Sequence, residues 1–495
     1  MVHNLAIDVI VPREKPRRWQ RVLIERLIAE GHDVAVLHDK TAKPWPAAVH
    51  ILLSLERTLL RKPGKALSVR LNTIAQMPRQ RLPALRLDLT GDAVSVDVPT
   101  LTLRFDGAVL DLAVAVCVAM GRLPALEAVL DGKTIVGRAF PMIDRRETTV
   151  FGLEDVLARA VTLLVSMVRA FAERRLVSLG TPVPAHAAVG FTRAYVLRSL
   201  PRLGREAWRR LRFRHAHWRI GYRCRDGEGV AETGQLGTGW QILPDDGNCF
   251  YADPFPFHWQ GRAYLFVEDY VHAIGKAAIS VVPFDDTGKS QAPRVVLEEP
   301  HHLSYPQVFA RDGAVWMLPE ASAGGRLVLY RAVDFPDRWT AEAVLLEGEI
   351  SDATLLEHGG KLWLFATHRD GHGSTSDTLV VFSAPVLTGP WKPHALNPIL
   401  IDRRRARPGG AFIRDGSGRL FLPVQDGTLG YGGGLGLAEL LALDDTTVRF
   451  SEPRTIRTDG DWPYQRIHTL NRSGPLEVID GIAVVRKRPG SSRAS

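Results

Sequence analysis

Carboxylates recur at fixed distances from a glycine in the C-terminal half of the chain. In "ADPFPFHWQGRAYLFVED", Asp253 lies eight residues before Gly261 and Glu268 seven after it. The same spacing about Gly313 in "SYPQVFARDGAVWMLPEA" gives Tyr305 and Glu320. About Gly360 in "SDATLLEHGGKLWLFATH" it gives Asp352 and Thr367, and about Gly418 in "GGAFIRDGSGRLFLPVQD" it gives Gly410 and Gln425. Acids forced into one narrow pocket repel each other, and their pKa values move apart. One can then hold a proton while another stays ionised, which cleavage of a glycosidic bond requires. If the chemistry is hydrolytic, Asp253 would be the base or nucleophile, Glu320 the acid that protonates the leaving oxygen, and Asp352 an orienting or pKa-tuning carboxylate. A carboxyl separation of about 5 Å would mark a retaining reaction and about 6.5–9.5 Å an inverting one. Glu268, His301, His302, Tyr305, Arg407, Gln425, Asp426, Tyr431 and His468 are the polar residues expected around a bound sugar, with Arg407 and His468 meeting hydroxyls or an anionic group. The plainer alternative is that an Asp near a strand start caps a turn through its own backbone, as Asp352 in "ISDAT" could.

Sequence proximity cannot gather acids this far apart, but a closed ring of repeats can. Each unit reads as a strand, a glycine turn and a second apolar strand. The intervals add outer strands such as "GKAAISVVPFD", "GRLVLYRAVDF" and "TLVVFSAPV". A fifth, weaker unit is "LNRSGPLEVIDGIAVVRKR", with Gly481 taken as its turn glycine. Five units of four short strands, their glycines about fifty to sixty residues apart, predict a five-bladed β-propeller over residues 215–490.

Residues 1–180 read differently. "LAIDVIV", the helical "RRWQRVLIERLIAEGHD" and "VAVLHD" form a strand–helix–strand opening, the signature of a doubly wound, Rossmann-like α/β domain. "LRLDLTGD" and "TLTLRFDG" read as further strands, and "VFGLEDVLARAVTLLVSMVRAFAERRL" as a closing helix. No G-x-G-x-x-G follows the first strand, so no dinucleotide cofactor is expected. His38, His50 and Asp92 show no spacing that demands chemistry. Residues 181–214 are expected to be a linker, beginning with "LGTPVPAHAAVG".

The net charge of +9 is concentrated. Residues 193–225 hold eleven arginines and one acid, a net +10, so the rest of the chain is close to neutral. With Trp208, Phe213 and Trp218 interleaved, this segment could meet an anionic membrane surface or pair with flanking acids. Nucleic acid is disfavoured, since no recognition motif accompanies the charge. Cys117, Cys224 and Cys249 fit neither a disulfide framework nor a metal spacing, and no metal ligand set is fixed. The N-terminus lacks the order of a secretory signal, and the best membrane candidate, "VLDLAVAVCVAM", is short and carries Asp111. A cytoplasmic protein, peripheral at a membrane if the arginines bind one, is the expectation.

The series "FYADPFPF", "LFVEDY", "HHLSYPQVF", "MLPEAS", "FPDRW", "ARPGG", "QDGTLGYG" and "HTLN" resembles the N-terminal propeller domain of glucosamine inositolphosphorylceramide transferases. That domain is similar in fold to five-bladed glycoside hydrolases of the arabinanase and invertase group. The resemblance implies a catalytic aspartate at Asp253 and a third-blade acid at Asp352, while Tyr305 replaces the second-blade acid of the hydrolases. Residues 1–180 more faintly resemble a formyltransferase-like domain but lack its Asn, His and Asp signature, so degeneracy is expected there. Three functions remain open: a glycosidase-like protein acting on a glycan or glycoconjugate, a non-catalytic glycan- or glycolipid-binding module in biosynthesis, and a formyl or glycosyl transferase.

Overall fold

A computed structural model describes residues 4–40, 45–60, 66–91, 97–109, 111–182, 190–285, 287–464 and 466–487. The chain divides into two compact units, the first essentially residues 1–208 and the second essentially residues 209–495.

The first unit is built on a six-stranded sheet: β1 (Ala6–Pro12), β2 (Asp33–Asp39), β3 (Leu85–Asp88), β4 (Thr100–Phe105), β5 (Leu126–Leu130) and β6 (Thr134–Ala139), in the order β2-β1-β3-β4-β5-β6. Ile7, Val9 and Val11 of β1 are buried, as an apolar run sandwiched in an α/β layer should be. Strands β2, β1, β3 and β4 pair in parallel, whereas β5 and β6 run antiparallel to their neighbours. The α/β character expected from the sequence therefore holds, but the sheet is mixed. β5 and β6 are joined locally: Asp131 and Gly132 both take positive φ between them, forming a tight hairpin where a parallel neighbour would need a long crossover. Helices Arg18–Ala29, Ala47–Leu59, Leu112–Ala119 and Thr149–Ala172 complete the unit, the last supplying buried Leu153, Val156, Leu157, Val161 and Leu164. The "VLDLAVAVCVAM" run is the short buried helix Leu112–Ala119. Among the described residues no helix is long and apolar enough to cross a membrane.

The stretch expected to be a linker is helical from Phe191 to Arg212, with a π-turn at Tyr195–Ser199. Tyr195 explains its placement: its hydroxyl donates to buried Glu56, anchoring this segment on the first unit. Residues 183–189 of "LGTPVPAHAAVG" lie outside the described residues.

The second unit contains five antiparallel sheets, the five-bladed propeller. The first blade comprises Cys249–Trp259, Arg262–Val271, Lys276–Pro283 and Arg294–Leu297. The second runs from Ser304–Arg311 to Arg338–Glu347, the third from Ile350–His358 to Lys392–Pro393, and the fourth from Ile413–Arg414 to Val448–Phe450. The fifth differs from expectation. Its strands Leu470–Ser473 and Leu476–Ile482 are completed by Trp218–Cys224 and Gln241–Ile242 from the other end of the propeller sequence. Gly481 lies inside a strand, and the turn residue is Gly474. Seven antiparallel pairs, from Leu476 with Cys224 to Ile482 with Trp218, close the ring. A buried ion pair, Arg223 Nη2 to Glu477 Oε2 at 2.6 Å, joins two facing residues of that seam.

The inner strands share one distortion. In the first blade Phe255 faces Phe266 and Ala252 faces Glu268, so Asp253 and Pro254 stand opposite Val267 alone. The second and third blades repeat this bulge at Tyr305 and Asp352. All three bulged residues hold left-handed φ, +47°, +46° and +50°. Such strain persists only where surrounding structure enforces it, and it re-aims the side chain. The fourth blade has Gly410 at the equivalent place, φ +148°, where an added Cβ would lie 2.0 Å from the Leu470 carbonyl oxygen. Gly410→Ala is therefore expected to destabilise the propeller by about 2–4 kcal/mol through overpacking and strain. Gly418→Ala, at a turn with open space around it, should cost about 1 kcal/mol. Urea unfolding of the two variants checks the difference, and equal midpoints would contradict it.

Candidate active site

The bulges and the second strands deliver side chains to a cavity of about 380 Å³ in the propeller. Glu268 and Glu320 line it, with the rings of Trp218, Phe250, Tyr270 and Tyr431, and with His215, His272, His302, Ser304 and Arg407. Asp253, Asp352, Asp480 and His468 are buried against this lining. Five acids from four blades thus converge, as register alone predicted for Asp253, Glu320 and Asp352.

Glu268 stands at the electrostatic centre. Burial, followed by the charges of Asp253, Glu320, Asp480 and Asp352, pushes its carboxyl well above the usual range. His302 lies 3.4 Å from Glu268 Oε1 through Nε2, while its Nδ1 accepts the Ala277 N–H at 3.2 Å. The second bond fixes the tautomer, leaving the Nε2–H facing Glu268. Burial also lowers the His302 pKa against the opposing pull of Glu320 and Asp253, so this ring is neutral. Glu320 accepts from Ser304 Oγ at 3.0 Å, the Ser322 N–H at 3.0 Å and Ser351 Oγ at 3.4 Å.

Two cations offset the remaining acids. Arg407 binds Asp352 bidentately, Nε to Oδ2 at 2.6 Å and Nη2 to Oδ1 at 3.0 Å. Burial raises Asp352 to about 7 against the opposing Arg407. Burial alone would lower Arg407, but Asp352 overturns this and holds it above its usual range. Arg407 therefore favours the charged form of Asp352, which at neutral pH is only partly ionised. His468 Nδ1 lies 2.7 Å from Asp480 Oδ1, its Nε2 lies 3.5 Å from Asp253 Oδ1, and its ring stacks on Trp218 at 3.8 Å. Burial opposes its charge, yet Asp480 and Asp253 raise its pKa. Asp253, raised mainly by burial, also accepts from Thr469 Oγ1 at 2.8 Å. Donor atoms of Asp253, His468 and Asp480 lie within 4.8 Å of one another and could surround a cation. A protonated imidazole already bridges these two carboxylates, which is the simpler use of the geometry.

Other expected site residues serve structure. Tyr305 is buried; its hydroxyl meets Thr354 Oγ1 at 2.8 Å and accepts the Gly410 N–H at 2.7 Å, tying three blades together where an acid was expected in the hydrolase pattern. Gln425 donates to Asp352 Oδ2 at 2.9 Å and to the Pro408 carbonyl, so it positions Asp352. Asp426 caps a short turn by accepting the Thr428 N–H. His301 packs its ring against Gly324, apart from the cavity lining. In the first unit, His38 bonds the Ile74 carbonyl and His50 stacks on Trp45, while Asp92 lies outside the described residues.

Sequence reasoning missed Asp480, and read Trp218 only as part of the basic segment. Had Gly474 been taken as the turn, Asp480 would have fallen six residues after it. That is one short of the position of Glu268, Glu320 and Gln425 in their own blades.

Fold and cavity define a five-bladed propeller with an acidic axial pocket. Residues 244–479 match the model of the N-terminal domain of Glucosamine inositolphosphorylceramide transferase 1, and the propeller resembles that domain, as its motifs indicated. The Arabidopsis thaliana protein of that name is 34% identical over 247 residues, 47% of this chain and 32% of its own. The Oryza sativa subsp. japonica protein is 36% identical over 247 residues, 47% of this chain and 33% of its own. The chain thus spans about a third of the length of these relatives. Among solved structures, the alpha-L-arabinanase of Cellvibrio cellulosa is 20% identical with a TM-score of 0.31, covering 42% of this chain and 78% of that one.

The shifts carry a sign. Glu268 and Asp352 retain protons in the folded state that the unfolded chain releases above about pH 4, and His468 likewise above about pH 6.5. Stability from all three falls as pH rises through the folded values. His217 and His272, lowered to about 4 chiefly by burial, act oppositely, but only below about pH 7. Between pH 7 and 9 the urea midpoint should therefore fall. Glu268→Gln should raise the midpoint and make the fall shallower; an unchanged slope would remove Glu268 from this balance.

Proposed function

We propose that the axial cavity binds a glycan or glycoconjugate and acts on it by glycosidase-like acid/base chemistry. The observation that carries this reading is Glu268, a carboxyl kept protonated beside Glu320 in a cavity walled by four aromatic rings. Glu268 is the proton donor to the leaving oxygen, and Glu320 acts as base or nucleophile. Asp253, first assigned that role, is buried against Thr469 and His468 and sets the charge behind the pair. Asp352, neutralised by Arg407, orients it. Trp218 and Tyr431 offer faces on which the apolar side of a sugar can rest.

A second reading is favoured by the match to a domain of proteins named as glucosamine inositolphosphorylceramide transferases. There the propeller holds a glycan or glycolipid for a glycosyl transfer performed elsewhere. The first unit serves either reading as a degenerate formyltransferase-like scaffold, supported by four parallel strands in the order β2-β1-β3-β4 and by histidines spent on structural contacts.

The test is a panel of aryl glycosides, inositol-linked sugars and nucleotide sugars. Sugar release is expected to fall about 10²–10⁴-fold in Glu268→Gln, and less on glycosides with an activated leaving group. Glu320→Gln should abolish turnover, while Asp253→Asn should shift the pH profile and keep residual activity. Sugar binding without product from any member would select the second reading.

A further inference from the structure

The structure sorts the eleven arginines of residues 193–225. Arg223 is spent in the propeller seam on Glu477, and Arg219 pairs with Asp245. Arg202 donates to the Val118 carbonyl and Ser199. The helix Leu200–Arg212 has no buried residue, and in the turn before it Val196, Leu197 and Arg198 are exposed while Tyr195 and Ser199 are buried. Along this segment Leu197, Leu200, Gly204, Trp208 and Leu211 recur at spacings of three and four, one face of a helix. The large side chains are 59%, 47%, 53% and 71% exposed, in that order for Leu197, Leu200, Trp208 and Leu211. Arg198, Arg205 and Arg212, seven residues apart and exposed, run along one margin of this stripe.

Such a helix has little intrinsic reason to be stable. Its interior carries Gly204, which costs about 1 kcal/mol relative to alanine, and helices of this length depend on burying an apolar face. An apolar stripe that includes an exposed tryptophan, bordered by arginines, matches the interfacial zone of an anionic bilayer in both polarity and charge. We infer that the helix from Leu197 to Arg212 docks the protein on an anionic membrane surface, Trp208 and the leucines entering the headgroup region and the arginines meeting lipid phosphates and carboxylates. Docking there would bring the protein to lipid-borne substrate, but the inference does not depend on that function.

Sedimentation of the full chain with phosphatidylcholine vesicles, with and without phosphatidylserine, tests it. Binding is expected to vesicles containing phosphatidylserine and to weaken as salt rises. Arg198→Gln and Arg205→Gln, both at exposed positions, should each weaken it about fivefold. Leu200→Gln with Leu211→Gln should abolish it while leaving the far-ultraviolet circular dichroism of the chain unchanged. Equal binding to both vesicle types, indifference to the arginines, or self-association through the leucine stripe in place of vesicle binding would each overturn the proposal.

Discussion

Five buried carboxyl groups around the axial pocket share it with two cations, Arg407 and His468. Full ionisation of that set is not affordable in a medium of low polarity, because each unpaired buried charge costs several kcal/mol or more. The geometry answers in three ways. Asp352 is neutralised by a bidentate guanidinium, Asp253 and Asp480 share an imidazolium, and Glu268 keeps its proton. The uneven sharing of protons among these carboxyls follows from the scarcity of positive charge rather than from any one residue.

The bulges make the convergence possible. A regular inner strand would send Asp253, Tyr305 and Asp352 to a face dictated by simple alternation. The left-handed residue in each of these three blades breaks that alternation where the strands meet. Tyr305 shows what the position does without a charge: its hydroxyl links the second blade to Thr354 and Gly410, so the same distortion supplies a strut. The neutral strut also spares the core a sixth acid.

Much of this was legible in the sequence because turn glycines set a register, and register alone brings Asp253, Glu320 and Asp352 together. Glu268 was visible at the right position, but its dominant role was not, since burial and four neighbouring charges are properties of the assembled ring. Asp426, Gln425 and His301 have the residue types of a sugar site, yet backbone capping, support of Asp352 and packing on Gly324 absorb them. The fifth blade was the hardest to read. Its strands come from opposite ends of the domain, and Asp-Gly at 480–481 imitates a turn inside a strand. In the first unit, the strand–helix–strand opening was clear, whereas the final β5–β6 pair depended on a short Asp131-Gly132 hairpin.

The seam between Trp218–Cys224 and Leu476–Ile482 also governs when the pocket exists. Trp218 begins one seam strand and stacks on His468, while Asp480 sits within the other. A chain with four blades made and the last unlatched would lack both the tryptophan platform and the anchor of the imidazolium. The cavity wall is therefore finished only when the ring closes, and a partly assembled domain has an incomplete pocket.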